Sequence, residues 1–216
     1  MLLWTIWWRR NQMCWNDKLQ SIFEVRRRAR DALEDWLKAR SIGTRQQLAA
    51  IHEAESKWCK PHPGTLKCNI DAACFLNANQ FCIGACIRDA NGGFLKAFTK
   101  TLEGQPEIRE AEATAVLETL KWLQQYNMQR FHIETDCIQV VHGIEGTNRN
   151  NMEFGAIIEN CKRLLSSFNN CKVSYVRRQA NRVAHELAQA ARLYASHQVF
   201  NYCPPCIDNF IMNEMH

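Results

Sequence analysis

The sequence lacks a long hydrophobic run, an internal repeat and a low-complexity tract. Its most apolar stretch, residues 1–8, is followed at once by Arg9 and Arg10. Eight residues cannot cross a bilayer, which takes roughly 20, and a secretory signal places positive charge before its apolar residues. We therefore expect a chain with no membrane partner that is not secreted, and we interpret residues 1–8 as a helix with an aromatic face.

The chain also lacks the cysteine distribution of a disulfide framework, although it holds 11 cysteines. They fall in apolar strands and helices as often as in loops, which is typical of reduced thiols in the nucleus or cytoplasm. Cys203 and Cys206 form one pair, whereas a structural zinc site needs four ligands. We therefore predict an intracellular protein and assign no metal to this pair.

Acidic and basic residues balance over most of the chain. Residues 1–60 hold the whole formal excess of +5, whereas residues 61–216 carry equal numbers of both signs. Basic patches attract phosphate backbones, but a run such as Arg26–Arg28 also fits the solvated face of a helix. Charge alone therefore does not predict nucleic-acid binding.

The first part of the chain reads as helical. Apolar residues at helical spacing predict a helix over 17–40, and Thr44 with Gln47 resembles a capping box that begins a second helix toward Trp58. Two prolines and a glycine in residues 60–64 end it. We predict three parts, namely a basic helical segment (1–60), a domain (61–195) and a tail without readable periodicity (196–216).

Beyond the linker the pattern changes to an α/β order. Three strands come first, and two further strands alternate with helices, which predicts a mixed five-stranded sheet with three antiparallel and two parallel strands and helices on both faces. Right-handed crossovers place the fourth strand beside the first. The predicted strands are 66–72, 81–88, 94–101, 131–135 and 171–176, and the predicted helices are 106–126, 137–144, 152–165 and 181–194.

Three acidic residues occupy informative places in this order. Asp71 lies on the polar side of the first strand, Glu112 in the second turn of the long helix, and Asp136 where the fourth strand ends. Neighbouring first and fourth strands would bring them together, and such carboxylates repel one another unless cations neutralise them. Singly, each also fits a solvated or helix-capping role. Together they favour two Mg²⁺ or Mn²⁺ ions that serve phosphodiester hydrolysis.

Five segments resemble the plant reverse-transcriptase-associated branch of the ribonuclease H family, which derives from LINE-type non-LTR retrotransposons. They are LKCNIDAAC, CIGACIRDANGGFLKAF, AEATAVLETLKWL, FHIETDCIQVVHGI and VSYVRRQANRVAHELA. The resemblance extends over 58–193 and implies a ribonuclease H-like fold and metal-dependent cleavage of the RNA strand in RNA–DNA hybrids, without a nucleotide cofactor.

The resemblance also implies roles for individual residues. The family's metal-binding acids correspond to Asp71, Glu112 and Asp136, and its fourth carboxylate corresponds to His185. In bacterial relatives, positions matching Cys74 and Asn77 contact the hybrid, and Asn181 matches the asparagine that begins the last helix. Arg177 and Arg178 fit either phosphate binding or ordinary surface charge.

The sequence departs from the wider family at three points. His185 stands where most relatives have an acid, although histidine is expected in this branch; it fits a weak metal ligand, a proton carrier or an exposed residue without a role. The loop before Asn181 is short and lacks a histidine, and Ala72 replaces a glycine.

These departures leave three functions open. One is a hybrid-cleaving endonuclease with Asp71, Glu112, Asp136 and His185 as its catalytic residues. The others are a binding module that keeps the fold without useful catalysis, and a retrotransposon remnant. The oligomeric state is not predicted.

Overall fold

The computed structural model describes residues 2–16, 21–40, 57–126, 130–146 and 153–215. The chain divides into two compact units, Met1–His52 and Glu53–His216. The first contains α1 (Leu2–Asn16) and α2 (Ile22–Arg40). No helix within the described ranges is long and apolar enough to cross a membrane. The helix predicted between Thr44 and Trp58 lies mostly outside them.

In the first unit, α2 begins later than predicted because of a capping box. The hydroxyl of Ser21 accepts a hydrogen bond from the Glu24 amide, and the Glu24 carboxylate accepts one from the Ser21 amide. This reciprocal pair satisfies two amides that a helix start leaves without partners. The basic run is not wholly solvated either, since the Arg28 guanidinium lies 3.9 Å from the centre of the Trp8 ring.

The second unit is built on a mixed sheet of six strands in the order β5-β4-β1-β2-β3-β6. Strands β1, β4 and β5 run parallel, whereas β1–β2, β2–β3 and β3–β6 are antiparallel pairs. The strands are β1 (Leu66–Phe75), β2 (Gln80–Arg88), β3 (Phe94–Glu103), β4 (Arg130–Thr135), β5 (Asn170–Tyr175) and β6 (His197–Phe200). The helices are α3 (Ile108–Gln125), α4 (Ile138–Glu145), α5 (Glu153–Leu165), α6 (Arg182–Ala190) and α7 (Pro205–Glu214).

This order confirms that the fourth strand lies beside the first, but the predicted count of five strands is wrong. The predicted tail contains two elements: β6 extends the sheet along β3, and α7 buries Ile207 and Ile211 in a cluster with Val183 and Leu187 of α6 and Cys86 and Ala97 of the sheet. With only four residues, β6 is too short to display the alternation that identifies a strand.

Helix α6 lies unusually close to the sheet. A Cβ atom added to Gly84 on β2 would lie 2.4 Å from the Ala188 amide nitrogen and 2.7 Å from the Leu187 Cβ. Only glycine fits this approach. Because α6 also carries His185, this contact fixes the height of that side chain above the sheet.

The polar face of β1 is buried in the structure. Lys67 and Asn69 are 4% and 0% exposed. The Asn69 amide oxygen accepts hydrogen bonds from Trp58 Nε1 (2.9 Å) and Arg88 Nη2 (2.7 Å). Its nitrogen donates to Glu134 Oε2 (3.0 Å). Asn69 therefore joins β1, β2 and β4 with the segment before β1.

Two buried ion pairs complete this network. Lys67 Nζ lies 2.6 Å from Glu134 Oε1, and Arg88 pairs with Glu214 at the end of α7. The Arg88 guanidinium also stacks 3.4 Å above the Trp58 ring. A buried charge is tolerated only when it is paired and hydrogen-bonded, so these contacts depend on one another.

We expect Glu134→Gln to lower the free energy of unfolding by about 2–5 kcal/mol, because it leaves the Lys67 charge buried without its partner. Glu159→Gln is the matched control: Glu159 pairs with Lys162 but its side chain is 51% exposed, so its loss costs at most about 0.5 kcal/mol. Urea denaturation of both variants provides the measurement. Similar shifts in the two would contradict the buried-pair interpretation.

Candidate metal centre

Two neighbouring strands place the aspartates side by side. In the parallel pair β1–β4, Ile70 lies opposite Thr135, so Asp71 and Asp136 are the next residues on each strand. Helix α3 brings Glu112 over the same point, and one ligand atom from each of the three lies within 4.8 Å of the others. The structure brings together the acids that the sequence singled out; their role as metal ligands stays a prediction.

The electrostatics of this cluster call for a cation. Glu112 is 5% exposed and its Oε2 has no hydrogen-bond partner. Burial, followed by the nearby charges of Asp71 and Asp136, raises the Glu112 pKa well above its usual range. Burial and then Asp71 raise the pKa of Asp136 to about 6. A buried carboxylate oxygen without a donor is costly, and a bound cation would supply what it lacks.

The donor set fits hard divalent ions. Asp71, Glu112 and Asp136 offer only carboxylate oxygens, which suit Mg²⁺ and Mn²⁺ better than softer metals. Within the described part of the chain, this is the one group of three or more acidic, histidine or cysteine side chains that could hold a metal. The pair Cys203 and Cys206 belongs to no such group.

His185 contacts the cluster directly. Its Nδ1 lies 2.8 Å from Asp71 Oδ2 and its Nε2 lies 3.2 Å from Arg178 Nη2. The hydrogen bond to Asp71 raises the His185 pKa, whereas partial burial and the Arg178 charge lower it. With Nδ1 protonated, the ring donates to Asp71 and Nε2 accepts from Arg178. The side chain is thus a neighbour of the metal-binding acids, which disfavours the alternative of an exposed histidine without a role.

The other predicted site residues separate into two groups. Asn77 and Arg178 are exposed, while Cys74 and Arg177 are partly exposed, so all four are open to a substrate. Asn181 is fully buried. It holds the N-cap position of α6, in agreement with the predicted start of the last helix. Its burial argues against the contact with nucleic acid, which stays a prediction.

The Asn181 side chain has a different role. It accepts a hydrogen bond from Asn69 Nδ2 (3.1 Å) and donates to the Ile70 carbonyl (2.8 Å), and it makes no side-chain cap on α6. Since Ile70 precedes Asp71, this bond ties the start of α6 to the strand that carries the aspartate.

Sequence reasoning missed the residues that support the site from below. Lys67, Asn69, Arg88 and Glu134 form the network described above, and nothing in their spacing distinguishes them from ordinary polar strand residues. The one available signal was the density of charged and amide side chains on β1, a strand in the middle of the sheet.

Residues 69–191 match the family model described as reverse transcriptase-like. This range covers more than half of the chain and contains all three acids and His185. The chain belongs to this family. No curated protein matches it.

Solved structures show that this family member has a ribonuclease H-like fold. It is similar to RNase H1 from the halophilic archaeon Halobacterium salinarum NRC-1, with 21% identity and a TM-score of 0.55 over 61% of this chain and 100% of that chain. It is also similar to the N-terminal RNase H domain of rv2228c from Mycobacterium tuberculosis, solved as a fusion protein with maltose binding protein. Here the identity is 18% and the TM-score 0.52, over 59% of this chain and 92% of that chain. A third similar structure is LC11-RNase H1 in complex with an RNA/DNA hybrid, with 18% identity and a TM-score of 0.52 over 59% of this chain and 96% of that chain.

The raised pKa of Asp136 gives a prediction for stability without metal. Its folded-state pKa of about 6 lies above the usual 3.8, so the native state binds the proton more tightly than the unfolded chain. In chelator, this group makes stability fall as the pH rises from about 4 to about 6. At pH 7, Asp136→Asn should therefore stabilise the metal-free protein by up to about 3 kcal/mol.

Thermal unfolding of the parent and of Asp136→Asn, in chelator and in Mg²⁺, provides the measurement. Mg²⁺ should stabilise the parent more than the variant, because the variant has lost a ligand and part of the repulsion. An Asp136→Asn protein that is less stable than the parent in chelator at pH 7 would contradict the repulsion.

Proposed function

We propose that this protein is a metal-dependent endonuclease that cleaves the RNA strand of RNA–DNA hybrids. The observation that carries the proposal is the convergence of Asp71, Glu112 and Asp136 around a buried Glu112 oxygen without a hydrogen-bond partner. Such a cluster is electrostatically unfavourable alone and suited to divalent cations and phosphate oxygens.

The three acids would hold two Mg²⁺ or Mn²⁺ ions. Bound there, the ions would supply activation of a water and stabilisation of the leaving oxygen of a phosphodiester. His185 orients Asp71 through its Nδ1–H, and its Nε2 accepts a hydrogen bond from Arg178. Arg178 brings a positive charge to the side where a phosphate would approach.

The proposed substrate has two supports. LC11-RNase H1, which shares the fold, was crystallised with an RNA/DNA hybrid. In this chain, Cys74, Asn77, Arg177 and Arg178 lie near the acids in sequence or space and are not buried. We extend the hybrid to this chain on these grounds, with those four residues as its contacts.

The origin and compartment follow the same proposal. The quoted motifs resemble the plant branch derived from LINE-type retrotransposons, and we propose that ancestry for this chain. All 11 cysteines are free thiols, which supports a reducing compartment, the nucleus or cytoplasm.

A cleavage assay on a labelled RNA–DNA hybrid tests the activity. We expect the parent to cut in Mg²⁺ or Mn²⁺ and not in chelator, and Asp71→Asn to lose more than about 100-fold, since even outer-shell changes at metal sites cost 10–100-fold. Asp208→Asn, an exposed aspartate in the first turn of α7, is the matched control and should cut like the parent.

Two results would overturn the proposal that this protein is an endonuclease. Cleavage by a folded Asp71→Asn protein at the parental rate would remove the metal site from the mechanism. A folded parent that binds the hybrid without cutting it in either metal would leave the alternative, a binding module of ribonuclease H-like fold.

His185→Ala should lower cleavage by about 10–100-fold and shift the Mg²⁺ dependence to higher concentration, because Asp71 loses the partner that orients it. His142→Ala, in the last turn of α4 and exposed, serves as the control. An unchanged Mg²⁺ midpoint in His185→Ala would show that the histidine does not position a metal ligand.

A further inference from the structure

A groove of about 910 Å³ has His185 in its wall, and none of the three carboxylates lines it. One side is formed by residues 57–60, which precede β1, and the other by the start of α6 and the end of α7. His185 lies between the groove and Asp71, to which it is hydrogen-bonded. The groove therefore adjoins the candidate metal centre through this one side chain.

The groove is basic although the second unit as a whole is nearly neutral. Lys57, Lys60, Arg178 and Arg182 line it, and all four are exposed. Of its two acids, Glu186 and Glu214, the second is neutralised by the buried guanidinium of Arg88. Folding thus collects positive charge that the sequence distributes over residues 57–182.

The wall that carries the two lysines is held in place before any ligand binds. Trp58 is buried and donates to Asn69, and the Cys59 carbonyl accepts a hydrogen bond from Lys67 Nζ at 2.6 Å. Lys60 Nζ donates to the Met215 carbonyl at 2.8 Å, which joins the two walls. A preformed site avoids the entropy cost of ordering its segments on binding.

The opposite wall is similarly arranged. The Arg182 guanidinium lies 4.7 Å from the centre of the Phe210 ring, and Arg178 is held against His185. Residues 57–60 and α7 lie outside the range 69–191 that matches the family model. The wall with Lys57 and Lys60 and the α7 part of the other wall therefore lie beyond the matched range, whereas Arg178 and Arg182 lie within it.

We propose that this groove binds backbone phosphates of the RNA strand on one side of the cleavage point. The inference rests on the proposed function for the choice of strand: the strand that reaches Asp71 is the one that is cut, and the groove adjoins Asp71 through His185. A nucleic-acid strand carries a negative charge about every 3.4 Å, which matches a row of cations better than a single anion would.

The first test measures hybrid affinity against salt for the full chain with Lys57→Gln, Lys60→Gln and Arg182→Gln combined. Parent and variant both carry Asp136→Asn to prevent cleavage. Each lost phosphate contact reduces the slope of log affinity against log salt by about 0.7–0.9, so we expect a reduction of about 2 and at least tenfold weaker binding at low salt.

A control removes the same charge elsewhere in the unit, through Lys121→Gln, Arg163→Gln and Lys172→Gln, all exposed. It should leave the slope within about 0.5 of the parent. Circular dichroism and thermal melting establish that each protein is folded. The single variant Arg182→Gln, expected to lower the slope by about one contact, keeps the test valid if the triple variant does not fold. Equal slopes for groove and control variants would overturn the proposal.

The second test identifies the strand. Hybrids with uncharged methylphosphonate linkages on one side of the centre, in either the RNA or the DNA strand, are compared. Neutral RNA linkages should weaken binding to the parent and leave the triple variant unaffected. The same pattern from DNA linkages alone would overturn the RNA assignment. If the unmodified chain never cuts, yet the slope change is observed, the nuclease would be excluded and the groove would remain a strand-binding surface.

Discussion

Mutual repulsion of three crowded carboxylates, two of them buried and one partly buried, is the constraint on which the rest of the second unit depends. Asp71, Glu112 and Asp136 come from a strand, a helix and a strand end, and each would be more stable apart from the others. The fold holds them together because β1 and β4 pair in parallel at the centre of the sheet. A helix crossing above them supplies the glutamate. The strand pairing and the helix therefore keep the three carboxylates close together despite their mutual repulsion.

The buried network of Lys67, Asn69, Arg88 and Glu134 holds the strand that carries Asp71. Lys67, Asn69 and Asp71 share one face of β1, so the aspartate is the last of three polar side chains. Asn69 connects to Asn181 and through it to the start of α6, which carries His185. A change at the base of this face would therefore reach the acids through hydrogen bonds, although no residue of the base contacts them.

Sequence alone predicts the parts of this molecule that repeat or alternate. The three acids could be assigned because strand order and helix phase bring them together, and right-handed crossovers permit one arrangement. Strand β6 and helix α7 could not be predicted, because four residues are too few to show a period and α7 buries only two of its residues. The burial of Lys67 and Arg88 escaped prediction because their cover, Trp58 and Glu214, is remote in sequence and becomes adjacent only in the folded chain.

Arg88 connects the two borders of the folded unit. Its guanidinium is covered on one side by Trp58, which precedes the first strand, and paired on the other with Glu214, at the end of the last helix. If either segment detaches, the Arg88 guanidinium becomes exposed on that side, because the other segment covers only part of it. We therefore expect the two segments to open as one cooperative unit in hydrogen exchange, with common protection factors. A fragment trimmed to the matched domain would lose both covers of Arg88 at once, and with them the order of the surface beside the acids.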